Sequence, residues 1–89
     1  LLAASEETDV LMAVCRAMGQ IGDPDFIEPL ARILFPRRRW VGRRKYPEAV
    51  RITAAYAAAQ IPDERVKTIL QSLAEDEDPR IREIARRIQ

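Results

Sequence analysis

The sequence contains no histidine, and Cys15 is its only cysteine among 89 residues. The absence of histidine excludes catalysis by Ser-His or Cys-His pairs and removes the commonest metal ligand. With a single cysteine the chain can form neither an internal disulfide nor a zinc site built on a cysteine pair. A lone cysteine fits a reducing compartment, so we expect a cytoplasmic protein.

Long apolar runs are also missing. The uncharged stretch 52–61 spans ten residues, half of them alanine, whereas a transmembrane helix needs about 20 apolar residues. Glu6, Glu7 and Asp9 lie where a signal peptide would have a basic segment followed by an apolar one. The sequence therefore predicts neither a transmembrane segment nor a signal peptide.

Positive and negative charges are nearly balanced in total but unevenly distributed. The chain has 15 lysines and arginines against 14 acidic residues, a net charge of +1. Six of the positive charges and none of the acids fall within residues 37–45 (RRRWVGRRK), termed here the basic segment. The other eighty residues hold nine basic and 14 acidic side chains. The chain is therefore mildly acidic outside one concentrated basic segment.

Helical periodicity is the strongest structural signal in the chain. With 47% hydrophobic residues the chain is too apolar to be disordered, and its 89 residues allow one domain. Apolar residues recur at steps of three and four positions in two segments, which predicts amphipathic helices. These residues are Val10, Val14, Ala17, Met18 and Ile21 in the first segment and Val50, Ala54, Ala57, Ala58 and Ile61 in the second.

Aspartate and proline indicate where the helices begin. In Asp23-Pro24 and Asp78-Pro79 the aspartate can cap a helix whose first residue is proline, where the missing backbone N–H has no cost. Pro47-Glu48 gives the same signal, and Pro62-Asp63 supplies a further cap. We therefore predict an all-α fold with about five helices and no strand. The predicted helices lie near residues 8–20, 24–35, 47–60, 63–74 and 79–88.

The chain also resembles itself. Shifted by 40 residues, the segment 10–33 aligns without a gap with 50–73. A shift of 31 residues places Val50-Arg51 on Ile81-Arg82, and the combined shift of 71 residues gives further matches. Helix-pair repeats of about 30 to 45 residues are typical of an α-solenoid. We expect one solenoid domain, with repeats at approximately 8–35 and 47–74 and a partial repeat at 79–89, all within residues 1–89.

These segments resemble HEAT repeats, in particular the short, alanine-rich PBS-lyase type common in bacterial proteins. The shared features are a hydrophobic residue followed by arginine in the first helix, an Ile-x-Asp junction at 21–23 and 61–63, and a leucine-rich second helix. Leu11 replaces the first arginine, and Pro62 replaces the usual glycine. The resemblance implies a scaffold that binds other proteins. Because the chain begins and ends within a repeat, we expect a piece of a longer HEAT-repeat protein, with possible self-association through exposed repeat ends.

The resemblance also implies a role for the repeated arginines. In HEAT repeats this arginine typically bonds across the junction between repeats. We therefore expect Arg51 to pair with Asp63, whereas the corresponding acid downstream of Arg82 is missing from this sequence. Both arginines are expected to stabilise the fold rather than to bind a partner.

The basic segment is the most distinctive candidate for function. It lies within residues 36–46, between two repeats and next to prolines at both ends, so we expect a surface loop. Arginine suits phosphates and carboxylates, and an aromatic side chain can stack on a base or a guanidinium. The residues predicted to bind an anion or a partner are Arg37, Arg38, Arg39, Trp40, Arg43, Arg44 and Lys45.

Three interpretations of the basic segment stay open. It is a solvated connector, a docking loop for an acidic protein, or a binding loop for nucleic acid or an anionic membrane. The sequence pI of about 8.2 is below that of a dedicated nucleic-acid domain. We therefore expect a protein partner for the chain, with binding of nucleic acid or another polyanion as the alternative.

The remaining polar residues indicate structure rather than chemistry. The acidic run 75–78 lacks the spacing and glycine of a calcium loop, so we interpret it as a helix start. Cys15 lies on an alanine-rich helix and is expected in the core. We predict no catalytic residues, cofactor, metal site or enzymatic activity, because no polar groups converge. HEAT-like DNA glycosylases and phycobilin lyases are the remote alternative. The second helices carry exposed residues of mixed charge at Glu28, Arg32, Lys67 and Gln71, where we predict no site.

Overall fold

The computed structural model describes residues 4–35 and 46–88, and all regular structure in these two ranges is helical. The α-helices are α1 (Ala4–Ile21), α2 (Ile27–Leu34), α3 (Glu48–Ala59), α4 (Arg65–Leu73) and α5 (Pro79–Ile88), and a short 3-10 helix (Pro24–Phe26) precedes α2. The all-α prediction with five helices is confirmed for these ranges. Arrangement of the helices as a solenoid stays a prediction.

Three aspartates start helical segments in the same way. A side-chain oxygen of Asp23, Asp63 and Asp78 accepts a hydrogen bond from the backbone N–H two residues later, at 2.9, 2.9 and 2.8 Å respectively. Each bond satisfies an N–H that has no partner within the helix. The predicted Asp-Pro starts are therefore confirmed at Pro24 and Pro79.

The largest difference from the predicted helix bounds is at the beginning of α1. This helix begins at Ala4 rather than near residue 8. No glycine or proline interrupts the segment before residue 8, and acidic residues in a first turn are favoured by the helix dipole. The helix ends at Ile21 because Gly22 adopts a left-handed φ of 71° and donates its N–H to the carbonyl of Met18 at 3.0 Å.

The core surrounds α3, which contacts each of the other four α-helices. Its alanines explain how one helix fits among so many neighbours, because small side chains allow close approach of backbones. At Gly19 of α1, an added Cβ would lie 2.8 Å from Cα of Ala57. The largest fully buried side chains are Cys15, Leu30, Leu34, Val50, Leu73 and Ile81.

Candidate functional site

Helix α1 is apolar on two adjoining sides. One side, which includes Gly19, packs against α3. The adjoining side carries Val10, Val14 and Ile21, whose exposed fractions are 50%, 47% and 67%. Ala17 lies between them and is also exposed. These four residues, Val10, Val14, Ala17 and Ile21, are termed the open face of α1.

Polar side chains are nearly absent from the middle of α1. Between Val10 and Ile21 the polar residues are Arg16 and Gln20, apart from the buried thiol of Cys15. With about 3.6 residues per turn, Arg16 and Gln20 lie near each other on one narrow side of the helix, away from the open face. Asp9 lies on the same side, towards the start of the helix. The open face is therefore an exposed apolar surface between this polar side and the side that packs on α3.

The residues of α3 that match the open face are buried rather than exposed. The 40-residue shift aligns the open face with Val50, Ala54, Ala57 and Ile61, each of which is 3% exposed or less. Helix α1 lies against α3, with Gly19 directly on Ala57, whereas no helix of the described ranges covers the open face in the same way. The apolar periodicity predicts both helices correctly, but only the apolar residues of α3 lie in the core, whereas the matching residues of α1 are exposed.

Arg51 forms the most buried polar cluster of the described residues. Its guanidinium donates two hydrogen bonds to the carboxylate of Asp76, at 2.7 and 3.1 Å, and one to the carbonyl of Leu34 at 2.7 Å. The Arg51 and Asp76 side chains are only 11% and 15% exposed. The arginine thus joins the end of α2 and the loop before α5 to α3. Asp76 also accepts a hydrogen bond from the backbone N–H of Asp78 at 3.0 Å, whereas the buried Nε of Arg51 has no hydrogen-bond partner.

The expected pairing of Arg51 with Asp63 is wrong. Asp63 instead binds Arg65, with 3.1 Å between its Oδ1 and the Nε of that arginine, and the hydrogen bonds from Arg65 lower the pKa of Asp63. The partner of Arg51 is Asp76, which lies 25 residues along the chain within the acidic run. Arg51 is a buried structural residue, as expected, but the sequence does not indicate which acid it reaches.

Arg82 occupies the position that the 31-residue shift aligns with Arg51. Its Nη1 donates to the carbonyls of Asp76 and Glu77 at 2.8 and 3.2 Å. No acidic side chain within residues 4–35 or 46–88 forms an ion pair with it. In the described ranges Arg82 therefore contacts backbone carbonyls in place of an acidic side chain.

Two aspartates of the acidic run 75–78 make different structural contacts. Asp76 binds Arg51, and Asp78 caps α5 as predicted. A hydrogen bond between Asp78 and Glu48 raises the pKa of Glu48 and lowers the pKa of Asp78. Arg80 lies 3.7 Å from the Glu48 carboxylate. In the two described ranges no group of three or more potential ligands is placed to hold a metal ion.

Cys15 lies in the core, as predicted, and the four polar residues named on the second helices are exposed. The thiol is fully buried, and this burial raises the pKa of Cys15, which keeps it protonated and unreactive. Glu28 and Arg32 form an exposed ion pair at 2.6 Å on α2. Lys67 and Gln71 are exposed on α4. These surfaces are mixed in charge and contain no apolar patch comparable with the open face.

The predicted anion-binding residues of the basic segment lie outside the described residues. Of the predicted loop 36–46, only Tyr46 is described, and its half-buried side chain packs against the core. No helix in the described part of the chain is long and apolar enough to cross a membrane. Comparison of the chain with protein-family models, curated proteins and solved structures gave no match.

Proposed function

We propose that this chain is a HEAT-type helix-pair module that docks other proteins, as part of a longer cytoplasmic HEAT-repeat scaffold without enzymatic activity. The observation that supports docking most directly is the exposure of Val10, Val14 and Ile21 together on one side of α1. Contiguous apolar surface of this kind on a folded domain is typical of an interaction site. The free, buried thiol of Cys15 supports a reducing compartment.

Several equivalent positions support the repeat interpretation. Leu30 and Leu70 are both buried and align under the 40-residue shift, as do Ile33 and Leu73. The caps Asp23 and Asp63 align under the same shift and make the same hydrogen bond two residues along. Sequence copies with the same burial and the same capping geometry are expected of a repeat whose units share one local structure.

Burial of the open face provides the free energy for docking. Full burial of a valine or isoleucine side chain contributes about 1.5 to 3 kcal/mol. Since roughly half of each of the three large side chains is still exposed, covering them contributes on the order of 3 kcal/mol before the entropic costs of association. This amount supports a specific contact when polar groups at the rim add to it.

The docking role predicts that one charge on the open face abolishes partner binding. In Val14→Asp an unpaired carboxylate would be buried under the partner. A tagged variant should therefore capture at least about tenfold less protein than the unaltered chain from a lysate of the source cells. Thr68→Asp on the exposed surface of α4 is the matched control and should capture as much as the unaltered chain. Circular dichroism melts should show both variants folded. Equal capture by the two variants would contradict a docking role for the open face.

The basic segment supports a second candidate, binding of a polyanion such as nucleic acid. Six positive charges in nine residues, together with Trp40, favour phosphate contacts and base stacking. We expect any binding of short duplex or single-stranded DNA to weaken steeply between about 0.05 and 0.2 M salt. It should disappear when the five arginines of the segment are changed to glutamine. Fluorescence anisotropy measures both effects, and no binding at the lower salt concentration would exclude this candidate. The five arginines are Arg37, Arg38, Arg39, Arg43 and Arg44.

A further inference from the structure

We propose that an exposed row of side chains across α1, α3 and α5 binds an extended acidic segment of a partner protein. The row consists of Arg16, Tyr56 and Arg87 and is termed the outer row. It lies on a different side of α1 from the open face, so this proposal goes beyond the docking role proposed above.

The repeat shifts place the three residues of the outer row at equivalent positions. A shift of 40 residues aligns Arg16 with Tyr56, and a shift of 31 residues aligns Tyr56 with Arg87. The three helices that carry them are neighbours, because α3 packs against both α1 and α5. Equivalent positions on these helices therefore lie next to one another if the helices run in register.

Two contacts show that the helices run in the same direction and nearly level. Gly19 lies directly on Ala57, near the ends of α1 and α3. The Arg80 side chain, in the first turn of α5, lies 3.7 Å from that of Glu48, in the first turn of α3. Since the axes of packed helices are about 8 to 10 Å apart, the outer row is about 16 to 20 Å long.

The outer row points away from the sides through which the helices pack. Arg16 is exposed, the exposed fraction of Tyr56 is 42%, and the Arg87 side chain is 68% exposed. On α3 the residues on either side of Tyr56, Ala55 and Ala57, are both buried. A further helix pair stacked on α1 or α5 in the way that α1 stacks on α3 would therefore leave the outer row exposed.

The residue types of the outer row are those that most often contribute strongly to protein interfaces. The ring of Tyr56 offers an apolar surface and a hydroxyl donor, and each arginine can bind a carboxylate through two N–H groups. Arg51 shows this geometry within the molecule, with hydrogen bonds of 2.7 and 3.1 Å to the carboxylate of Asp76. A carboxylate of a partner can bind Arg16 or Arg87 in the same way.

The charges of the outer row are weakly neutralised within the molecule. No acidic side chain of the two described ranges forms an ion pair with Arg16. Asp9, on the same side of α1, is seven positions and about 10 Å away along the helix. Arg87 binds Glu83 at 2.8 Å, but both side chains are largely exposed, and such pairs contribute at most about 1 kcal/mol.

The length of the outer row determines which partner fits. An extended chain rises about 3.3 Å per residue, so two carboxylates separated by about five or six residues reach both arginines, with an apolar residue between them on Tyr56. Outside the basic segment the chain holds nine basic and 14 acidic residues. This net negative charge repels a long polyanion, whereas a short acidic segment contacts only the outer row. We therefore favour an acidic protein segment over nucleic acid.

An NMR titration of the full chain tests the proposal. The probe is a synthetic peptide of about 12 glutamates with one central leucine. Because the basic segment would also attract this peptide, the titrated chain carries glutamine in place of the five arginines of that segment. The backbone amide signals of Arg16, Tyr56 and Arg87 should shift together, with a Kd of about 0.1 to 1 mM in about 0.05 M salt, and those of α2 and α4 should not shift.

Variants of the same chain identify the side chains responsible. Arg16→Gln combined with Arg87→Gln should weaken peptide binding at least about fivefold, and so should Tyr56→Ala. Arg32→Gln on α2 is the matched control and should leave the Kd unchanged, because Arg32 is likewise an exposed arginine paired with a glutamate four positions earlier. Circular dichroism melts should show every variant folded.

The outcomes separate this proposal from the docking role of the open face. Val14→Asp should bind the peptide as well as the chain without this change, since it lies outside the outer row. No shift at the outer row, or equal binding by the outer-row variants and Arg32→Gln, would overturn the proposal and leave the open face untouched. Tighter binding of a single-stranded DNA of about six nucleotides at the outer row would also overturn it, because the partner would then be a nucleic acid.

Discussion

Replacing Asp76 by alanine is expected to lower the free energy of unfolding by about 3 to 5 kcal/mol. The Arg51 guanidinium would remain buried with the carbonyl of Leu34 at 2.7 Å as its one remaining strong acceptor. An uncompensated buried charge is among the most destabilising changes known for a small domain. Since such domains are stable by about 5 to 15 kcal/mol in total, urea denaturation followed by circular dichroism should show a large shift of the midpoint.

The surface of α2 provides a matched control for this change. Arg32 and Glu28 form an ion pair with side chains that are 70% and 71% exposed, and Arg32→Ala should change the free energy of unfolding by less than about 1 kcal/mol. Arg51→Met combined with Asp76→Ala should be more stable than Asp76→Ala alone, because no charge stays buried. A loss in Asp76→Ala no larger than that in Arg32→Ala would contradict a stabilising role for the Arg51 cluster.

Gly19→Ala is expected to lower the free energy of unfolding by about 1 to 3 kcal/mol. On an isolated helix the same change would add about 1 kcal/mol of stability, because alanine has the higher helix propensity. In the folded chain the new Cβ would lie 2.8 Å from Cα and 3.0 Å from Cβ of Ala57. The obstructing atoms belong to or adjoin the backbone of α3, so α1 must move away from α3 to make room.

The neighbouring residue Gln20 separates packing from helix propensity. Gln20 is exposed on α1, and Gln20→Ala should change the free energy of unfolding by less than about 0.5 kcal/mol. Urea denaturation of both variants under the same conditions gives the comparison. If Gly19→Ala were as stable as the unaltered chain or more so, the close contact between α1 and α3 would be wrong.

The helical elements could be predicted because their signals are local. A capping aspartate such as Asp23 or Asp78 accepts a hydrogen bond from a residue two positions away, so the sequence alone indicates where the helical segment begins. Steps of three and four apolar residues similarly depend only on the helical repeat. The buried position of Cys15 followed from its small apolar neighbours on the same helix.

Features that depend on distant neighbours could not be predicted in this way. Val14 and Ala54 occupy equivalent positions of one pattern, yet the first is 47% exposed and the second is fully buried. The difference is the presence of α1 beside α3, which a pattern within one helix does not contain. The partner of Arg51 was likewise predicted as Asp63, whereas in the fold the guanidinium binds Asp76 in the loop before α5 and Asp63 binds Arg65.

Carbene footprinting of α1 tests the central claim, that the open face is a docking surface, most directly. Val10, Val14 and Ile21 should be labelled in the purified chain and protected in a lysate of the source cells. Val50 and Ile61, which are at most 3% exposed, provide the internal reference for a face that stays covered. Protection of the three α1 residues with no change at the reference residues is the result that we predict. Equal labelling of the open face in the purified chain and in the lysate would contradict the proposed docking role.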